Sequence, residues 1–99
     1  MLVGKFIKNI NSKFKGHFFS GLSFNSLNLN KNNIFFAIKG TKIDGKKFIK
    51  DAIKKGARTI VSDEKFKGLK NNVLYIRVKN VRKTLSEISF KINKKNQKI

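Results

Sequence analysis

The feature that most constrains the fold lies in residues 34–62, where an apolar run is followed by an amphipathic segment and then by a second apolar run. Residues 34–38 read Ile-Phe-Phe-Ala-Ile, which is typical of a buried strand. Asp44 is placed to cap a helix, and Gly56 stands where a helix commonly ends in a left-handed residue. Residues 58–62 then contain a β-branched run. This succession predicts two parallel strands joined by a right-handed crossover.

The segment between these two strands has the spacing of an amphipathic helix. Its core-facing positions are apolar and recur every three to four residues, at Phe48, Ile49, Ala52 and Ile53. The outer face carries charged residues four apart, which favour helix-stabilising ion pairs, at Lys47, Asp51 and Lys55. A helix is therefore expected to cover one face of the strand pair.

The rest of the chain predicts two more helices and two more strands. The first helix is expected in residues 2–10 and the last after Asn80, each with one apolar face. Residues 18–24 and the alternating segment 73–78 are expected to be strands, while 11–16 and the Asn-rich segment 25–33 are expected to be loops. The fold class that follows is α/β, a small open mixed or parallel sheet with helices packed on it. Residues 1–99 form one expected domain, with a polar tail that frays from about residue 93 to residue 99.

Charge is the most extreme property of the composition. The chain has 24 Lys and Arg residues against five Asp and Glu residues, for a formal net charge of +19. Such a charge favours nucleic acid or an anionic membrane surface as a partner. The alternative is an AT-rich coding bias, because Lys, Asn, Ile and Phe are abundant and the lysines are spread along the chain. Cysteine is absent, and so is an apolar run long enough to span a membrane or form a secretory signal, which favours a cytoplasmic protein.

Residues 40–47 nearly match a phosphate-binding loop. Gly40, Gly45 and Lys46 stand in the register of G-x-x-x-x-G-K-[ST], between a predicted strand and a predicted helix. Lys47 occupies the position that requires a magnesium-binding hydroxyl, so the match to an ATP site is incomplete. The competing interpretation is a strand-to-helix connection whose backbone amides near residues 41–43 face a ligand beyond the strand ends. No other cluster indicates a catalytic residue or a metal site, because the single histidine, His17, lacks a second imidazole.

At residues 21–57 the chain resembles the N-terminal signature of the Mur ligases. The family pattern is Asp-Ser-Arg, a spacer ending Pro-Gly, Leu-Phe-x-Ala-x-x-Gly, and Asp-Gly-x-x-Phe-Ile-x-x-Ala-x-x-Gly-Ala. The first motif appears as Asn25, Ser26 and Leu27. The later motifs match at Ile34, Phe35, Ala37, Gly40, Asp44, Gly45, Phe48, Ile49, Ala52, Gly56 and Ala57. The resemblance is greatest to the member that adds the third peptide residue (MurE type), with the MurF type as the alternative.

The resemblance implies a domain of peptidoglycan synthesis that binds the uridine end of UDP-N-acetylmuramoyl-L-alanyl-D-glutamate. Carried over by position, the hydroxyl of Ser26 would bond the nucleotide, and Phe24 would line the same site, chiefly through its backbone. Thr41, Lys42 and Ile43 would contact the uracil or the ribose. No catalytic residue and no metal ligand is implied within the chain.

Two departures from the family pattern alter this expected site. A carboxylate and a guanidinium are lost at Asn25 and Leu27, which removes any charge contact that they made. The Pro-Gly turn is replaced by Lys31 and Asn32, and Asn tolerates the left-handed conformation that Gly supplies.

The resemblance also implies that ligation requires more than these 99 residues. Mur ligases continue into a domain with a G-x-x-G-T-N-G-K-[ST] loop, and ATP and magnesium are expected only there. The sequence is therefore expected to be a substrate-binding domain that is inactive on its own. A small basic nucleic-acid-binding protein remains the alternative function.

Overall fold

In the computed structural model, the described residues form one sheet of five strands, in the order β1-β2-β3-β5-β4. The structure describes residues 1–40 and 42–96, with only the backbone at 95 and 96. The strands are β1 (Gly21–Ser23), β2 (Asn33–Phe36), β3 (Thr59–Ser62), β4 (Gly68–Lys70) and β5 (Val73–Arg77). The α-helices are α1 (Ile49–Lys54) and α2 (Val81–Asn96). The predicted α/β class, a mixed sheet with helices packed on it, is confirmed.

The central strands are parallel, as the sequence predicted for residues 34–38 and 58–62. β2 pairs with β3 in a register that joins Phe35 to Ile60, and β3 pairs in parallel with β5. β1 is also parallel to β2. Four parallel strands therefore end at the same edge of the sheet, which is where ligands bind in open α/β folds.

Strand β4 was not predicted. It is antiparallel to β5, and the two are joined by Asn71 and Asn72, whose φ angles are 52° and 65°. Positive φ at both central residues is the geometry of a two-residue hairpin turn, and asparagine adopts it more readily than most residues. The adjacent asparagines were the available signal, but three residues, Gly-Leu-Lys, are too few to show a strand period.

The predicted helix at residues 2–10 is wrong. The structure has only a 3-10 turn there, Val3–Lys5. The amides of Val3 and Gly4 donate to the carbonyls of His17 and Lys15, at 2.9 Å each. Asn9 has a φ of 61°, which a right-handed helix does not allow, and Leu2 forms an antiparallel bridge with Phe18. Residues 1–19 therefore fold back on themselves instead of forming a regular helix.

The neighbouring predictions at residues 11–33 also need correction. The predicted strand 18–24 shortens to β1, and the predicted loop 11–16 contains a 3-10 helix, Ser12–Phe14. A further 3-10 helix, Ser26–Asn28, lies within the predicted loop 25–33. Asn33 begins β2.

Helix α1 is shorter than its pattern predicted. The Asp44 side chain accepts from the Lys46 amide at 3.0 Å, but it caps a 3-10 helix, Gly45–Phe48, which precedes α1. Phe48 is 39% exposed and therefore does not join the core as predicted. Gly56 ends the unit with a φ of 117°, which confirms the predicted left-handed position.

Helix α2 begins where the sequence predicted. The Asn80 side chain accepts a hydrogen bond from the Lys83 amide at 2.9 Å, and Val81 and Ile88 are buried. The helix continues to Asn96, into the segment expected to fray, and residues 97–99 of that segment lie outside the described part of the chain. Neither α-helix in the described part is long and apolar enough to cross a membrane.

Two apolar cores lie on opposite faces of the sheet, because alternate residues of a strand point to opposite sides. Ile34 and Phe36 join the core shared with α2 and the N-terminal segment, whereas Phe35 and Ala37 join the core shared with α1. β2 is consequently buried at every position. Strand β2 therefore lies between the two cores, and the connection that follows it begins at this position.

We expect Gly45→Ala to destabilise the domain. A Cβ at this position would lie 2.7 Å from both the amide nitrogen and the carbonyl oxygen of Ile38, which is backbone and cannot move aside. Overpacking of this kind costs about 1–3 kcal/mol. Urea unfolding should show that loss. Gly16→Ala, which meets nothing within 4 Å, should change the free energy of unfolding by less than about 0.5 kcal/mol. Equal effects of the two substitutions would contradict this packing.

Candidate functional site

A cleft of about 280 Å³ opens beyond the carboxyl ends of β1 and β2. Phe24 follows the last residue of β1, and Ile38 follows β2 by two residues. The remaining wall comes from the connection after β2 and from the start of α2. Among the residues that the structure describes, the lining consists of Phe24, Ile38, Gly40, Ile43, Gly45, Phe48, Arg82 and Leu85.

The connection after β2 is a tight, internally bonded turn. The Gly40 amide donates to the Ile43 carbonyl at 2.8 Å, and the Gly45 amide donates to the Ile38 carbonyl at 2.9 Å. Lys39 and Asp44 form an antiparallel bridge. The amides of Gly40 and Gly45 are therefore satisfied within the chain, whereas a phosphate-binding loop directs such amides at its ligand.

The lysine in phosphate-loop register is also paired within the chain. Lys46 Nζ lies 2.6 Å from Asp63 Oδ1, at the carboxyl end of β3. This hydrogen bond raises the pKa of Lys46 and lowers the pKa of Asp63. The near-match at residues 40–47 thus folds as a strand-to-helix connection that is tied to β3, and it lacks the free lysine of an ATP loop.

Ser26 lies away from the cleft wall. It is buried, and its hydroxyl donates to the Asp51 carboxylate of α1, which Lys55 also approaches to 3.2 Å. The bond from Ser26 is the largest cause that lowers the pKa of Asp51, and the Lys55 bond follows. In this conformation Ser26 attaches the 3-10 helix Ser26–Asn28 to α1.

At the two departures from the family pattern, Asn25 and Asn32 each support a local backbone structure. The Asn25 side-chain oxygen accepts from the Leu27 amide at 2.9 Å and caps the 3-10 helix. Leu27 itself is 77% exposed and is not part of the cleft wall. Asn32 has a φ of 67°, so the predicted left-handed turn forms without glycine.

The structure brings together two of the five predicted site residues. Phe24 is 65% exposed, and Ile43 is 57% exposed; both line the cleft. Lys42 is exposed but does not line it, and Thr41 lies outside the described residues. Sequence reasoning missed Arg82 and Leu85, because only the packing of α2 brings them beside residues 24–45. Within the described residues, no group of histidine and carboxylate side chains is arranged to hold a metal ion.

A second and larger opening, of about 720 Å³, lies at the other edge of the sheet. It is bounded by the N-terminal segment around Phe14 and by β4 and β5. None of the residues that the resemblance assigns to nucleotide binding lines it. The smaller cleft is therefore the better candidate, because it combines the strand-end position with Phe24 and Ile43.

Comparison with known proteins identifies the family. The model of the Mur ligase family, catalytic domain, matches residues 18–91, which is more than half of the chain. The chain therefore belongs to the Mur ligase family. The part of the family that it corresponds to is the N-terminal domain of the members that act in peptidoglycan synthesis.

The similar curated proteins are UDP-N-acetylmuramoyl-L-alanyl-D-glutamate–2,6-diaminopimelate ligases. The Clostridium tetani protein is 46% identical over 67 residues, which cover 66% of this chain and 14% of that protein. The Rickettsia prowazekii protein is 40% identical over 79 residues, covering 80% of this chain and 16% of that protein. The chain thus spans about a seventh of the length of these relatives.

The similar solved structures are MurF ligases. The Thermotoga maritima enzyme, solved in complex with ADP, has a TM-score of 0.59 and 27% identity, over 71% of this chain and 16% of that one. A MurF structure from Acinetobacter baumannii has a TM-score of 0.63 at 15% identity, over 79% of this chain and 16% of that one. The second likeness concerns the fold alone.

We expect Ser26→Ala to raise the pKa of Asp51 toward its ordinary value of 3.8, because the hydroxyl that favours the carboxylate is removed. Carboxyl chemical shifts followed by NMR against pH measure this change. The exposed Ser86→Ala on α2 is the control and should leave Asp51 unchanged. An unchanged Asp51 pKa in Ser26→Ala would contradict the bond.

The same bond predicts a pH dependence of stability. A carboxyl group whose pKa is lowered by folding stabilises the protein above its unfolded pKa, and this contribution is lost as the pH falls through the folded pKa. We expect wild type to lose more stability than Ser26→Ala between about pH 5 and about pH 2. Urea unfolding at a series of pH values measures the difference. Parallel curves would contradict the prediction.

Proposed function

We propose that this domain binds the uridine end of a UDP-N-acetylmuramoyl-peptide in the cleft beyond β1 and β2. The observation that carries the proposal is the position of Phe24 and Ile43 on the walls of this strand-end cleft. Both are residues that the family resemblance assigns to the nucleotide. The names of the Clostridium and Rickettsia relatives include UDP-N-acetylmuramoyl-L-alanyl-D-glutamate, which supports a ligand of the same class for this chain.

The chemistry of the cleft suits a nucleoside. Its apolar side chains, including Phe24, Ile38 and Ile43, offer contacts for the flat faces of a pyrimidine ring. Its volume of about 280 Å³ lies at the small end of ligand pockets, which suits one nucleoside rather than a complete nucleotide-sugar peptide. Most of the substrate would therefore extend beyond the cleft.

The part proposed for this domain in ligation is to hold substrate. In the larger proteins that it resembles, ATP and magnesium would bind in a separate domain and support the bond-forming step. By analogy with those ligases, we assign the domain to peptidoglycan synthesis in the cytoplasm. The residues described here would orient the uridine end and would not react with it.

The proposed role of Ser26 differs from the one carried over from the family. Its hydroxyl is engaged by Asp51, so we propose that Ser26 positions the segment after Phe24 without bonding the nucleotide directly. The backbone around Phe24 would then be held by α1. Ser26 would thus support the site, whereas Phe24 and Ile43 would touch the ligand.

Titration of the 99-residue chain with UDP, followed by amide chemical shifts, tests the proposal. We expect saturable shifts around Phe24, Ile43 and the start of α2 at millimolar ligand. A single-stranded oligonucleotide serves as the contrast for the basic-protein alternative. The absence of UDP-dependent shifts at these positions would reject the binding site, and a response to the oligonucleotide alone would favour the alternative.

Phe24→Ala should weaken UDP binding by about tenfold, because loss of an apolar contact worth about 1.5 kcal/mol corresponds to that factor. The side chain is mostly exposed, so the fold should survive. Leu27→Ala is the matched control, since Leu27 follows Phe24 closely in the sequence, is also exposed and does not line the cleft. Equal affinities of the two variants would remove Phe24 from the site.

A further inference from the structure

Among the described residues of the cleft wall, Arg82 has the one charged side chain. The other described lining residues are apolar or glycine, and no acidic side chain is among them. A cation at the rim of an apolar cleft provides for a ligand that has both a nonpolar ring and a negative charge. The sequence alone did not assign Arg82 to any site.

The Arg82 side chain has no competing partner in the described part of the chain. It forms no hydrogen bond and no ion pair there, and it is exposed. Arg58 is different, because its guanidinium donates to the carbonyls of Ala57 and Ile53 at 2.8 and 3.2 Å. Asp44, the acidic residue in the connection after β2, accepts a hydrogen bond from the Lys46 amide. The Arg82 guanidinium is thus available to an anion.

The position of Arg82 on α2 adds to the positive potential. Arg82 is the second residue of this 16-residue helix, and Leu85, one turn later, also lines the cleft. The first turn of a helix carries partial positive charge from its backbone amides, which favours a nearby anion. The Arg82 guanidinium and the N-terminus of α2 therefore both contribute positive potential at the cleft.

Resting on the proposed uridine site, we propose that Arg82 forms an anion-binding subsite that takes the diphosphate of the nucleotide. The base would lie on the apolar wall around Phe24 and Ile43, and the phosphates would lie toward the start of α2. A guanidinium suits this role because its planar donors bond two phosphate oxygens together.

The test compares uridine with UDP on wild type, Arg82→Ala and Arg82→Lys, with affinities from amide shift titrations. Wild type should bind UDP more tightly than uridine. Arg82→Ala should weaken UDP by about tenfold and leave uridine unchanged, because only the phosphate contact is removed. Arg82→Lys should keep part of the preference, since it keeps the charge and loses the paired geometry.

Lys83→Ala is the matched control, because it removes a neighbouring exposed cation that does not line the cleft. It should lower UDP affinity far less than Arg82→Ala. Equal affinity of wild type for uridine and UDP, or equal effects of the two alanine variants, would overturn the Arg82 subsite and leave the uridine site standing. Failure of both ligands to bind wild type would overturn the uridine site and this subsite together.

Discussion

The burial of β2 on both faces of the sheet is the constraint on which the other elements depend. Its alternate side chains, such as Phe35 and Phe36, enter different cores, so α1 and the pair formed by α2 and the N-terminal segment must cover opposite sides. Parallel pairing on both edges of β2 then requires a crossover through α1 to reach β3. The end of β2 is consequently the point from which the cleft is built.

Close backbone packing shapes the cleft at that point. Gly45 lies against the backbone of Ile38, so the connection after β2 turns sharply and presents Ile43 beside Phe24. The pair between Lys46 and Asp63 attaches the far side of this connection to β3. Residues that resemble a phosphate loop in sequence are therefore used to hold an apolar wall.

The sequence predicted regions with local signals better than regions shaped by distant contacts. Asp44 caps the segment between the parallel strands β2 and β3, and Gly56 ends it in a left-handed conformation; the strand pair, the cap and the left-handed end were all predicted from neighbouring residues and confirmed. The apolar spacing in residues 2–10 indicated a helix, yet Asn9 has a φ of 61°, and the amide of Val3 bonds the carbonyl of His17 in a distant segment. A periodicity of side chains does not reveal that a backbone donor has a partner fourteen residues away.

By itself, the sequence determined the α/β class, the parallel pair, the caps of Asp44 and Asn80, and the family resemblance. These follow from residue spacing and from conformations that few residue types adopt. The tertiary structure alone decided the membership of the cleft: it engaged Ser26 with Asp51 and brought Arg82 to the wall. The physical reason is that hydrogen-bond competition and the approach of α2 to residues 24–45 depend on three-dimensional packing, which spacing along the chain does not encode.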